Sequence, residues 1–137
     1  MRILFLCSSN IFRSQMAESF FNKLAKKHKA QSAALIKTQD KMHRLVVRAM
    51  SEINIDITKN KSKKVTEDML KEADIVVLMS KDLNQLLDKS KLKKGAKVEY
   101  WNIPDVIAAE TDEQKYHEFL KAREIIKEKV KTLINSL

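Results

Sequence analysis

Met1-Arg2-Ile3-Leu4-Phe5-Leu6-Cys7-Ser8-Ser9-Asn10-Ile11-Phe12-Arg13-Ser14-Gln15-Met16-Ala17-Glu18-Ser19-Phe20-Phe21 opens the chain, and this stretch decides the fold. Ile3 to Leu6 is a short apolar run of the kind a parallel strand buried on both faces shows. From Ser14 onward, Met16, Ala17, Phe20, Phe21, Leu24 and Ala25 recur at three- and four-residue steps, the helical period. The residues between, from Cys7 to Arg13, form a short loop entering a helix. Backbone N–H groups at a helix start lack intrahelical acceptors, and the macrodipole adds partial positive charge there. An anion held by residues 8 to 13 would meet those donors. The same field, with Arg13 close by, favours the reactive thiolate at Cys7. A thiol under an anion site suits chemistry on a phosphate-like oxyanion, whereas a lone Cys at a strand end is otherwise only a small hydrophobe.

Outward from this unit, apolar strands alternate with amphipathic helices. Ser32 to Lys37 reads as a second strand and Met42 to Ile53 as a helix through Leu45, Val46, Ala49 and Met50. Thr66 is an N-cap candidate ahead of acidic first-turn residues. Asp74 to Met79 is the richest strand in β-branched residues. Ser80 or Asp82 could cap a helix with Leu83, Leu86 and Leu87 inward. Gly95 precedes a strand over Lys97 to Trp101. A last helix from about Thr111 to Ile134 would bury Tyr116, Phe119, Leu120, Ile125, Ile126, Val130 and Leu133. This βαβ alternation predicts an α/β fold, a parallel sheet covered by helices on both faces. Ligands in such folds bind beyond the C-terminal ends of the strands, near a topological switch point, which is where Cys7 falls.

A second signal follows the last strand, in Trp101-Asn102-Ile103-Pro104-Asp105-Val106. Pro104 restricts itself and Ile103, stiffening the approach to Asp105. A carboxyl group near a bound oxyanion keeps its proton through like-charge repulsion and can act as a general acid. Alone, Pro-Asp is an ordinary turn; its weight comes from partnership with the Cys7 loop. Glu110 and Asp112 stand a few residues further on as substitutes.

The chain has 137 residues and one cysteine, which fits a single domain over 1–137 with one core. One Cys excludes an intramolecular disulfide framework and a Cys-based zinc cluster, so a cytoplasmic protein with neither metal nor cofactor is expected. No stretch approaches a membrane span or a signal peptide. A net charge of +9 raises the question of nucleic acid, but only five of the cations are arginine and few aromatics interleave with the lysines. Base reading and stacking favour Arg and aromatics, so a solvated lysine-rich surface that draws in anionic substrates is the better reading.

Cys7 to Ser14 followed by Met16-Ala17-Glu18 resembles the signature of the low-molecular-weight protein tyrosine phosphatase superfamily, which includes related arsenate reductases. The resemblance extends through Asp74–Met79, Ile103-Pro104-Asp105 and Phe119–Ile126. It implies a single-domain three-layer sandwich of the flavodoxin-like kind, with a four-stranded parallel sheet in the order 2-1-3-4. It implies Cys7 as nucleophile, Asp105 as general acid, and Arg13 with the loop residues Ser8, Ser9, Asn10, Ile11, Phe12 and Ser14 as the oxyanion clamp. Ser14 would donate to the thiolate and Asn10 would hold the loop. The chain departs from the pattern at Ser9, where Gly is frequent, and at Val106-Ile107, where Pro and aromatics are usual in phosphotyrosine-directed members. Thioredoxin-coupled reductases relay a disulfide through two further cysteines, and Met79 and Ser80 stand where the first would be. The expected activity is therefore hydrolysis of a phosphorylated protein or small phosphoester, with phosphate, vanadate or arsenate as site ligands. The alternatives are arsenate reduction with an external small thiol, and a non-catalytic oxyanion-binding protein.

Overall fold

A computed structural model describes residues 1–106 and 109–137. Four strands, β1 (Arg2–Cys7), β2 (Lys29–Ala34), β3 (Ile75–Leu78) and β4 (Lys97–Tyr100), form one sheet in the order β2-β1-β3-β4. Every pairing is parallel. Four helices, α1 (Arg13–Leu24), α2 (Arg44–Ser51), α3 (Glu67–Glu72) and α4 (Asp112–Asn135), complete the core elements. β1 and β3 are central and buried along almost their whole length, which is why they read as unbroken apolar runs. The crossovers from β1 and β2 run in opposite directions along the sheet, so the right-handed rule for parallel strands puts α1 and α3 on opposite faces, and both pack on β1. α4 returns along α1 and also meets α2.

Register brings the strand ends together. Cys7 pairs with Ala34, and Leu6 with Leu78, which pairs with Tyr100. The loops after β1 and β4 therefore leave the same end of the sheet, and strand order reverses at β1. Beyond the strands, the Trp101 amide donates to the Leu78 carbonyl at 2.8 Å and the Ile103 amide to the Met79 carbonyl at 3.1 Å. Those bonds carry the Pro104-Asp105 segment back over β1.

The inner face of α1 is Met16, Ala17, Phe20 and Phe21, all fully or nearly fully buried. Each large side chain so buried contributes on the order of 1.5–3 kcal/mol. Phe5 sits between Phe21 and Trp101, at ring-centroid distances of 6.2 and 5.5 Å. Thr66 caps α3 by accepting from the Met69 amide, and Thr111 caps α4 in a capping box with Gln114. Gly95 takes φ +86° in the turn before β4, the left-handed region that favours glycine.

Some expectations are corrected. The second strand spans Lys29–Ala34, three residues before the Ser32–Lys37 reading. It lies at the sheet edge and packs small residues, Ala30, Ser32, Ala33 and Ala34, so the apolar pair Leu35-Ile36 misdirected the assignment. Ile36 is exposed, and its amide donates to the Ser8 carbonyl at 3.0 Å. After Met79 the chain forms 3₁₀ turns, not an α-helix; Leu83 and Leu87 are buried and Leu86 is exposed. On α4, Ala122 takes the buried position and Ile125 faces solvent, while Leu24 is exposed at the end of α1. Ile107, named above as a departure, lies outside the described residues.

Candidate active site

The loop from Cys7 to Arg13 wraps a cleft of about 160 Å³. Ser8 to Phe12 line its walls, with Arg13, His43, Asp105, Val106, Lys115 and Phe119 around them. Phe12 stands at the N-cap position of α1 and supplies no side-chain cap, so the first amides of a twelve-residue helix remain open to an anion. A larger cavity of about 310 Å³ opens around Arg2, Lys29, Met69 and Glu72. It is lined by no Cys, Ser, Thr or His. Among the described residues no group of three or more His, Cys, Asp and Glu side chains is placed to hold a metal ion.

The Cys7 sulfur is 2.8 Å from Ser14 Oγ, and the Asn10 amide donates to it at 3.3 Å. Ser14 is wholly buried, and its hydroxyl contacts the sulfur while Ser8 to Arg13 line the cleft. The direction of the Ser14–Cys7 bond follows from Asn10. Asn10 Oδ1 accepts from the Lys63 backbone N–H at 3.0 Å, a donor whose polarity is fixed. Its Nδ2 therefore faces Ser14 Oγ at 2.8 Å and Ser32 Oγ at 2.9 Å, donating to both. With its oxygen accepting from Asn10, Ser14 turns its proton to the sulfur. Asn10 adopts φ +57°, a left-handed conformation that asparagine tolerates and that strained functional loops use.

A second segment straps this loop in place. Gln15 Nε2 donates to Asn10 O and Oδ1 and to Lys61 O, while Asn60 Nδ2 donates to Gln15 Oε1. Ser62 Oγ donates to Ser9 O at 2.7 Å. The lysine run read as a solvated surface thus carries Asn60 and Ser62 inward between its lysines. Glu18, beneath Ser32, is 3.8 Å from Lys63 Nζ. Burial pushes the Glu18 carboxyl above its ordinary value, against the opposing pull of Lys63 and Ser32.

Arg13 is buried, with Nη1 donating to the Ile103 carbonyl at 3.1 Å and Nη2 3.8 Å from Asp105 Oδ2. One guanidinium thus joins the two segments that the sequence paired. Asp105 lines the cleft; Asp112 instead pairs with Arg44 on the exposed start of α4. Glu110 does not line the cleft, and its amide donates to Gln114.

His43, Lys115 and Phe119 were not read as site residues from the sequence. The Phe119 ring stands 4.6 Å from Phe12 and 4.9 Å from His43, building an aromatic wall. His43 Nδ1 accepts from the Leu45 amide at 3.2 Å and so caps α2. Burial first, then the cations Arg44 and Lys115, lower its pKa from 6.5. The unfolded chain therefore binds a proton that the folded site resists. The contribution is complete above about pH 6.5 and is lost as pH falls through the lowered value. His43→Asn keeps a capping acceptor without titrating, so its stability should fall less than that of wild type between neutral pH and about pH 5. Urea unfolding across that range checks this; parallel slopes for both proteins would contradict it.

Residues 2–137 match the family model described as low molecular weight phosphotyrosine protein phosphatase. The chain belongs to that family. Among its relatives is an arsenate reductase from Bacillus licheniformis, 35% identical over 134 residues, covering 94% of this chain and 91% of that protein. A low molecular weight protein tyrosine phosphatase from T. tengcongensis superposes with a TM-score of 0.84 at 25% identity, covering 100% of this chain and 99% of that one. The YwlE arginine phosphatase from Geobacillus stearothermophilus shares the fold at a TM-score of 0.83 and 18% identity, over 98% and 91% of the two chains. The family thus includes phosphatases and arsenate reductases. Among the described residues no helix is long and apolar enough to cross a membrane.

Proposed function

We propose that residues 1–137 act as one cysteine-dependent phosphatase domain that hydrolyses aryl phosphate monoesters, phosphotyrosine included, in the cytoplasm. The observation that carries this reading is the Cys7 sulfur, contacted by Ser14 and the Asn10 amide, at a cleft that also holds Arg13 and Asp105. The Cys7 thiolate attacks phosphorus in line, forming the S–P bond as the P–O bond to the leaving group breaks. Asp105 gives its proton to the departing oxygen. Arg13 and the loop amides hold the equatorial oxygens as charge spreads over them. In the second step Asp105 takes a proton from water, whose oxygen attacks phosphorus and returns the thiolate.

A second reading is favoured by the relatives named arsenate reductase. Cys7 is the only thiol in the chain, so an arsenate adduct on it could be resolved only by an external small thiol. Hydrolysis of an aryl phosphate, run beside arsenate reduction with a small thiol and with thioredoxin, separates the readings. The phosphatase reading expects phosphate release from the ester and no sustained arsenate reduction. Arsenate turnover with an inert ester would overturn it, and binding of oxyanions with neither activity would leave a binding protein.

A further inference from the structure

The mouth of the cleft carries its own charge pattern. Its charged lining residues are Arg13, Lys115 and Asp105. Arg13 and Asp105 face each other at 3.8 Å, which leaves Lys115 as the cleft-lining cation not faced by a carboxylate. Among the described residues Lys115 has no ion-pair partner, since nearby Asp112 is held by Arg44 and Glu118 by Lys121. Burial first, then the cations Arg44 and Lys115, lower the pKa of His43 beside it, and Asp112 opposes them. The other carboxylate that senses the site is Asp82, which feels Arg13 but is held by Ser80 and does not line the cleft. Phe12, Phe119 and His43 offer the flat wall an aromatic leaving group needs.

We propose that Lys115 is a specificity-determining residue that selects phosphotyrosine flanked by acidic residues and disfavours cationic leaving groups such as phosphoarginine. This rests on the phosphatase reading above. A carboxylate beside the scissile phosphate gains attraction from Lys115 at the mouth, whereas a guanidinium or lysine there meets repulsion. Asp105 is the one cleft-lining carboxylate among the described residues, and Arg13 already faces it.

The test compares two phosphotyrosine peptides that differ only in acidic against basic neighbours, with phosphoarginine and nitrophenyl phosphate alongside. At low salt, kcat/KM for the acidic peptide should exceed that for the basic one by about tenfold, and phosphoarginine should fall below both. The ratio should shrink toward unity near 0.5 M salt, roughly, as screening takes hold. Lys115→Met should narrow the ratio, and Lys115→Glu should cut it by about fivefold or more. Equal efficiency on the two peptides in wild type overturns the proposal. So does an unchanged ratio in a Lys115→Glu protein that still hydrolyses nitrophenyl phosphate. If that variant fails to fold, the Lys115→Met protein decides, and an unchanged ratio in it overturns the proposal. Failure of wild type on every ester, nitrophenyl phosphate included, overturns the phosphatase reading itself and this proposal with it.

Discussion

Cys7→Ser should lose turnover by a factor on the order of 10⁴ or more, the scale seen when a nucleophile is removed. A serine hydroxyl is a far weaker nucleophile than a cysteine sulfur, even where it keeps the contacts to Ser14 and the Asn10 amide. Binding should survive, because the open amides of α1 and the Arg13 fork remain. Calorimetry with inorganic phosphate should give an affinity within a few-fold of wild type, estimated roughly from the retained donors. Hydrolysis by the serine variant within about a hundredfold of wild type would rule out Cys7 as nucleophile.

Asp105→Asn should slow turnover by roughly 10²–10⁴-fold, the range for loss of general acid–base catalysis. Asparagine keeps the shape of the side chain and its place near Arg13 but can neither give nor take the proton. The loss should be largest for tyrosyl or alkyl phosphate, whose leaving oxygens need protonation, and smaller for a nitrophenyl ester. An equal loss for good and poor leaving groups would remove Asp105 from the acid role.

The legible parts of the sequence were those with strong local rules. β1 and β3 were readable because burial on both faces makes a strand uniformly apolar, and α1 because its buried face follows the helical period. Cys7 and Asp105 could be paired because both follow strands that end on one side of a parallel sheet. The edge strand β2 was displaced in the reading because small residues, not a large apolar run, pack it against α1. The stretch after Met79 contains leucines at helical spacing but closes into 3₁₀ turns, where Leu86 has nothing to pack on. The strap from Asn60 to Lys63 was hidden for another reason. Its bonds reach Ser9 and Asn10 across 53 positions, and a lysine-rich run gives no local sign of the asparagine and serine that turn inward. His43 and Lys115 were missed likewise, since each joins the cleft only when α2 and α4 meet.

The covalent intermediate is the centre of the account, and stereochemistry at phosphorus tests it without requiring the intermediate to accumulate. An aryl phosphate made chiral by isotopic labelling at oxygen is turned over with an alcohol as acceptor, and the configuration of the phosphoryl product is read. Attack by Cys7 followed by attack of the alcohol is two in-line displacements, each inverting, so the account predicts net retention. Net inversion would mean a single direct displacement by the acceptor, and would contradict the role given to Cys7.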